Sequence, residues 1–267
     1  MRSAKLVLAF IMALVGYTSY SQEAIIYGNA PDYKGDEIVF YYYSDFITST
    51  ETEVGRCNVD EKGTFNARIK ILETTYVFCY LGIYKIYFFA EPNKKYQLLL
   101  PPKEDKTEAQ RLNPFFRETE TQVGILNVDK SDINFLINSF DLKFNENFDQ
   151  IVMDAYKGKK ALNIDSLVNS IENQYKNTNN QYFNDYRNYR YGLLKQVTFY
   201  KKSTSISNEL FLNKPVLYNN PSYMELFNLV YDKYFLFFSR SLTGNVIFKD
   251  IAQRSLSGLK ETLSDNE

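Results

Sequence analysis

Two periods of apolar residues divide the chain. From Phe65 to Ile69, Phe65, Ala67 and Ile69 alternate with Asn66 and Arg68, the pattern of a strand with one face buried. Similar short runs, rich in Val, Ile, Tyr and Phe, cover residues 24–28, 36–44, 52–59, 64–71, 75–82, 85–91 and 95–101. Turn chemistry separates them at Asp32-Tyr33-Lys34-Gly35, Asp60-Glu61-Lys62-Gly63 and Pro92-Asn93. Seven strands at roughly ten-residue spacing predict an antiparallel β-sandwich.

From Ser131 onward the period becomes helical. Ile133, Leu136, Ile137, Phe140, Phe144, Phe148, Val152 and Ala155 recur at three- and four-residue steps, with Ser131 as N-cap and Gly158 as the stop. Ile164, Leu167, Val168, Ile171 and Tyr175 predict a second helix, and Tyr182 to Val197 a third. Ser222 and Glu225 have capping-box spacing and open a helix to about Arg240. A last helix is expected over 245–260. The fold class is therefore α+β: a seven-stranded antiparallel sandwich (22–102), a connection (103–130), a C-terminal domain of about five helices (131–260) and a tail (261–267).

The first 21 residues stand apart. Arg2 and Lys5 precede the apolar run Leu6 to Val15, and Ser19 and Ser21 supply small residues before a cleavage point. This is the pattern of a cleavable secretory signal, and the run is about half the ~20 residues that a membrane span needs. The chain is therefore expected to be exported, to the periplasm or in association with an outer membrane. It would mature at Gln22, with no integral membrane segment after cleavage.

Composition then narrows the chemistry. The formal charge of −1 becomes −3 when Arg2 and Lys5 leave with the signal. That balance argues against a nucleic-acid binder, which needs a basic excess. There is no His, which removes imidazole as base, nucleophile partner or metal ligand. No pattern asks for a metal or a cofactor. The 23 Tyr and 21 Phe suit core and strand packing, and also a sugar- or peptide-stacking surface.

The remaining candidates each have a structural counterpart. Cys57 and Cys79 lie on separate strands of an exported protein and form a candidate disulfide. A bridge would contribute ~3 kcal/mol by loop entropy. Two reduced, buried thiols are the alternative, and strand register decides between them. Asn58, Asp60 and Lys62-Gly63 fit a β-turn better than a calcium loop, because Lys occupies a ligand position. Asp141, Glu146, Asp149 and Asp154 offer carboxylates for glycosidase-type chemistry, but acidic residues along a helix usually form its solvated face. Tyr186-Arg187-Asn188-Tyr189-Arg190-Tyr191 is basic and aromatic and could stack bases or sugars, although a structural helix suits the neutral balance better.

The stretches VDEKGTFNARIKI (59–71) and YFFAEPNKKYQLLLPP (87–102), with DINFLINSFDLKFN (132–145) and FLNKPVLYNNPSYMELFNLVYDKYF (211–235), resemble the exported TlpA-like thioredoxin proteins of Gram-negative envelopes. Members with an N-terminal extension carry a sandwich and then a helical region ahead of their thioredoxin domain. The resemblance implies that accessory region without the thioredoxin domain, since no C-x-x-C occurs before Glu267. It implies no catalytic residue. The expected function is a non-catalytic envelope module that binds or positions a protein partner. The alternative is a glycan or peptide binder using exposed Tyr and Phe.

Overall fold

The alternation at 64–70 does become a strand in the computed structural model, which describes residues 22–159, 164–232, 238–240 and 244–264. The signal segment lies outside the described residues, as does part of the helix expected to reach Arg240. Nine strands form among the described residues: β1 (Glu23–Asn29), β2 (Glu37–Tyr43), β3 (Glu51–Asn58), β4 (Thr64–Lys70), β5 (Thr75–Leu81), β6 (Tyr84–Ala90), β7 (Lys95–Leu99), β8 (Thr119–Gln122) and β9 (Gly124–Ile125). They make a four-stranded sheet, β4-β1-β7-β9, and a five-stranded sheet, β3-β2-β5-β6-β8. Residues of both sheets share one core, which includes Ile26, Phe40, Ile69, Val77, Phe88 and Tyr96.

Two expectations are corrected here. The sheets are mixed, because β1 pairs parallel with β7 and β6 parallel with β8. An alternating pattern states which face is buried but not which strand lies alongside or in which direction. Moreover, the stretch expected as a bare connection contributes β8, β9 and a short helix, α1 (Glu108–Leu112). Strand β8 reads TETQ and has no apolar alternation. It forms because the β6 edge offers backbone partners from Tyr84 to Tyr87, and because Glu120 accepts from Tyr76 and Lys85. Helix α1 is held by a capping box: Gln110 N donates to Thr107 Oγ1 and Thr107 N to Gln110 Oε1.

The helical part comprises α2 (Ile133–Tyr156), α3 (Ile164–Tyr175), α4 (Gln181–Val197), α5 (Ser203–Leu210), α6 (Pro221–Tyr231), α7 (Ile247–Ala252) and α8 (Leu256–Ser264). Eight helices among the described residues replace the expected five. The extra ones arise from α1, from α5, and from a break in the last helix, where Arg254 takes a φ of +53° and Ser255 Oγ accepts from Gly258 N. The caps also differ. Asp132, not Ser131, caps α2 by accepting from Asn134 N. Asn220, not Ser222, caps α6, and Ser222 instead donates to the Tyr186 carbonyl from a buried position. Phe140 and Phe144 are fully buried, with the Phe183, Tyr186 and Tyr191 rings around Phe140. A second cluster joins Tyr189, Leu193, Leu210, Phe211, Tyr223 and Leu226.

The chain divides into two compact units. Among the described residues, one comprises those up to Tyr42 with Thr52–Asn127, and the other comprises Tyr43–Glu51 with those from Val128 on. No helix among the described residues is long and apolar enough to cross a membrane.

Candidate functional site

One face of helix α4 is largely polar and includes two buried polar side chains, Arg187 and Tyr191. Asn184, Arg187, Asn188, Tyr191, Gly192 and Lys195 follow steps of three and one, so they share one face. That face forms a wall of a pocket of 480 Å³ inside the helical unit. Helix α3 adds Val168, Glu172 and Tyr175, and α5 adds Ile206, Glu209 and Leu210. The volume falls in the range of small-molecule sites.

Arg187 organises one side. Its side chain is buried, and its guanidinium lies over the rings of Phe183, at 4.7 Å, and Tyr175, at 5.2 Å. Nη1 donates to Glu172 Oε1 at 2.5 Å and Nη2 to Asn184 Oδ1 at 2.7 Å, while Nε has no hydrogen-bond partner. Glu172 Oε1 also accepts the Tyr191 hydroxyl at 2.8 Å. Burial and this bond to a carboxylate both push the Tyr191 phenol upward.

The other side is built by a strained turn. At the end of α4 the amide of Phe199 donates to the Gln196 carbonyl and that of Tyr200 to the Lys195 carbonyl, a Schellman motif. Its left-handed position is held by Phe199, at φ +54°, where glycine is usual. The turn brings the Lys201 amide to the Lys195 carbonyl at 3.3 Å, so the backbones of two lysines that line the pocket meet. Lys201 Nζ donates to Glu209 Oε2 at 2.5 Å. That bond, with the attraction of Lys201, Lys195 and Lys214, holds the Glu209 carboxyl below its usual range.

The residues singled out in the sequence have distinct fates. Asp60 accepts from Lys62 N, Thr64 N and Thr64 Oγ1, so its oxygens close a turn. Asp141 is engaged by Tyr186, Asp154 pairs with Lys159, and Glu146 and Asp149 are exposed. No group of three or more metal-binding side chains occurs among the described residues. The stretch 186–191 is split by the helical period: Arg187, Asn188 and Tyr191 line the pocket, whereas Tyr189 packs in the second cluster. The signal for the pocket was present there as Arg187 and Tyr191 four residues apart, but Glu172, Lys195 and Glu209 carried no pattern of their own.

Both cysteines are free thiols. Cys79 is buried in the sandwich core and Cys57 packs partly buried against it. Strand β2 lies between their strands, β3 and β5. Two inter-strand spacings amount to ~9.6 Å between Cα atoms, beyond the ~7 Å that a disulfide tolerates. The outward face of the five-stranded sheet is aromatic, with Tyr76 stacked on Tyr87 at 5.0 Å. Its Tyr76, Phe78 and Phe89 are buried, Tyr41 and Tyr87 are half-buried, and Tyr80 is exposed.

Comparison of this chain with protein-family models, with curated proteins and with solved structures gives no match.

Proposed function

We propose that this chain is an exported, non-catalytic binding protein that holds a small ligand in the pocket of its helical unit. The pocket itself carries the proposal: the buried Arg187 and Tyr191, beside the partly exposed Asn184 and Lys195, give a cavity of ligand size a polar wall suited to recognition. Export rests on the leader pattern of residues 1–21, and an envelope setting on the resemblance to the accessory region of TlpA-like proteins.

The two carboxylates that line the pocket favour binding over catalysis, and Asp141, whose carboxyl is raised by burial, is not part of the lining. Glycosidase chemistry needs one acid with a raised pKa. Glu209 is held low by Lys201, and Glu172 accepts from both Arg187 and Tyr191. Without His, the chain has no imidazole to substitute.

A fragment screen read by amide NMR tests this. Ligand-induced shifts should cluster on α3, α4 and α5. Asn188→Trp, at an exposed position of the wall, should abolish them while leaving the rest of the spectrum unchanged. Shifts centred elsewhere, or undiminished binding by the Trp variant, would overturn the proposal.

The protein-partner reading keeps one observation of its own. Phe199 is 77% exposed and meets the exposed Tyr156 ring edge-on at 6.3 Å. An exposed aromatic pair of this kind suits an interface anchor. A photocrosslinker at position 199 should then give a defined protein adduct in the envelope, and one at the even more exposed Leu72 should not.

A further inference from the structure

The charges around the pocket do not balance. Lys176, Arg187, Lys195 and Lys201 face only two carboxylates, Glu172 and Glu209. Glu172 is committed to the buried Arg187. Glu209 is the carboxylate of the lining that pairs with Lys201, its side chain is about half exposed, and Lys214 Nζ also donates to its backbone carbonyl at 2.6 Å. This local excess of two positive charges lies in a chain whose formal charge is −1. A cavity with one sign of charge concentrates ligands of the other sign. Ile206 and Leu210 add apolar wall beside the lysines.

We infer that the pocket takes a small organic oxyanion, a carboxylate or phosphate on an apolar body, and that the incoming anion displaces Glu209 from Lys201. The inference rests on the binding role proposed above and assigns that site its ligand class. Glu209 then acts as an internal competitor. It satisfies Lys201 and moderates Lys195 when no ligand is bound, and its half-exposed side chain on the short helix α5 leaves solvent to take it up when displaced. The head group would lie between Lys195 and Lys201, whose backbones the Phe199 turn joins, and the apolar body against α5.

Calorimetry and NMR titration of the purified protein with benzoate, phenyl phosphate and the neutral benzyl alcohol test it. Benzoate or phenyl phosphate should bind, more weakly as salt rises, and should clearly outcompete the alcohol; whichever binds tighter identifies the head group. Glu209→Gln should tighten anion binding about 3- to 5-fold, the worth of an exposed ion pair. Lys195→Ala should weaken it by a similar factor. Weaker or unchanged binding by Glu209→Gln would overturn the inference. If benzyl alcohol binds as well as benzoate, and Asn188→Trp abolishes both, the pocket binds ligands but the anion assignment fails. If none of the three probes shifts pocket residues, both the anion assignment and the pocket's binding role fall together.

Discussion

Tyr186 donates its phenolic proton to Oδ2 of Asp141 across 2.8 Å, tying α4 to α2 in the interior of the helical unit. The other oxygen of Asp141 has no hydrogen-bond partner and stands 3.8 Å from Arg190 Nε, itself without one. Burial outweighs the attraction of Arg190 and the Tyr186 bond, so the carboxyl titrates above its ordinary value of 3.8. A raised carboxyl pKa means that the folded state holds the proton more tightly than the unfolded one. Stability therefore falls as pH rises from about 4 through the folded pKa. Tyr186→Phe removes a bond that favours the ionised form. It should cost about 1–3 kcal/mol at pH 7 and less at pH 4, because the bond is worth more to the ionised carboxyl than to the protonated one. Urea unfolding at the two pH values measures the difference, and an equal loss at both would show that Asp141 does not titrate as described.

The two thiols should behave differently in the native protein. Burial pushes Cys57 up to about 11 from 9.0, and pushes Cys79 up as well. Two pKa units mean ~100-fold less thiolate at pH 8, and so slow reaction of Cys57 with a disulfide reagent. Cys79 should react only on unfolding. Denatured without reductant, the protein should take up two alkyl groups per chain, as the position of β2 between the cysteine strands requires. Mass spectrometry showing no uptake would mean that the strands rearrange to form a bridge.

How far the sequence reveals this molecule depends on what each residue responds to. Phe65, Ala67 and Ile69 respond to a buried face, and their alternation announces β4. Thr119–Gln122 respond to a neighbouring edge, and the sequence holds no trace of that edge at their own positions. Ser222 has the spacing of a cap but a deeper partner, the Tyr186 carbonyl, so Asn220 takes the cap instead. The pocket is half legible for the same reason. Arg187 and Tyr191 stand out on their helix, whereas Glu172, Lys195, Lys201 and Glu209 gain meaning only when three helices bring them together.

Glu172 is the link between two pocket residues, and removing its charge should be felt at both. Glu172→Gln keeps the shape but leaves Arg187 buried without a counter-charge. Because the Glu172 side chain is 40% exposed, solvent screens part of the loss, and about 1 kcal/mol of destabilisation is expected rather than the 3–5 of a fully buried pair. Tyr191 should at the same time ionise at lower pH, since the bond to Glu172 is one cause of its upward shift. Chemical denaturation and an ultraviolet titration of the tyrosines check the two effects. A change in stability with no change in the phenolate titration would place Tyr191 outside this network.

Phe199 gives the sharpest test of the strained turn. A left-handed conformation costs an L-residue roughly 1–2 kcal/mol, and the ring, at 77% exposure, recovers little of it. Phe199→Gly relieves that strain and adds about 0.5–1 kcal/mol of chain entropy to be lost on folding. The net expectation is a gain of about 0.5 kcal/mol, seen as a higher urea midpoint with an unchanged slope. Phe199→Val, with a branched Cβ in the same conformation, should lose at least 1 kcal/mol and loosen the hold of Lys201 on the Lys195 carbonyl. A stability loss in the glycine variant would mean that the edge-on contact with Tyr156 outweighs the backbone strain.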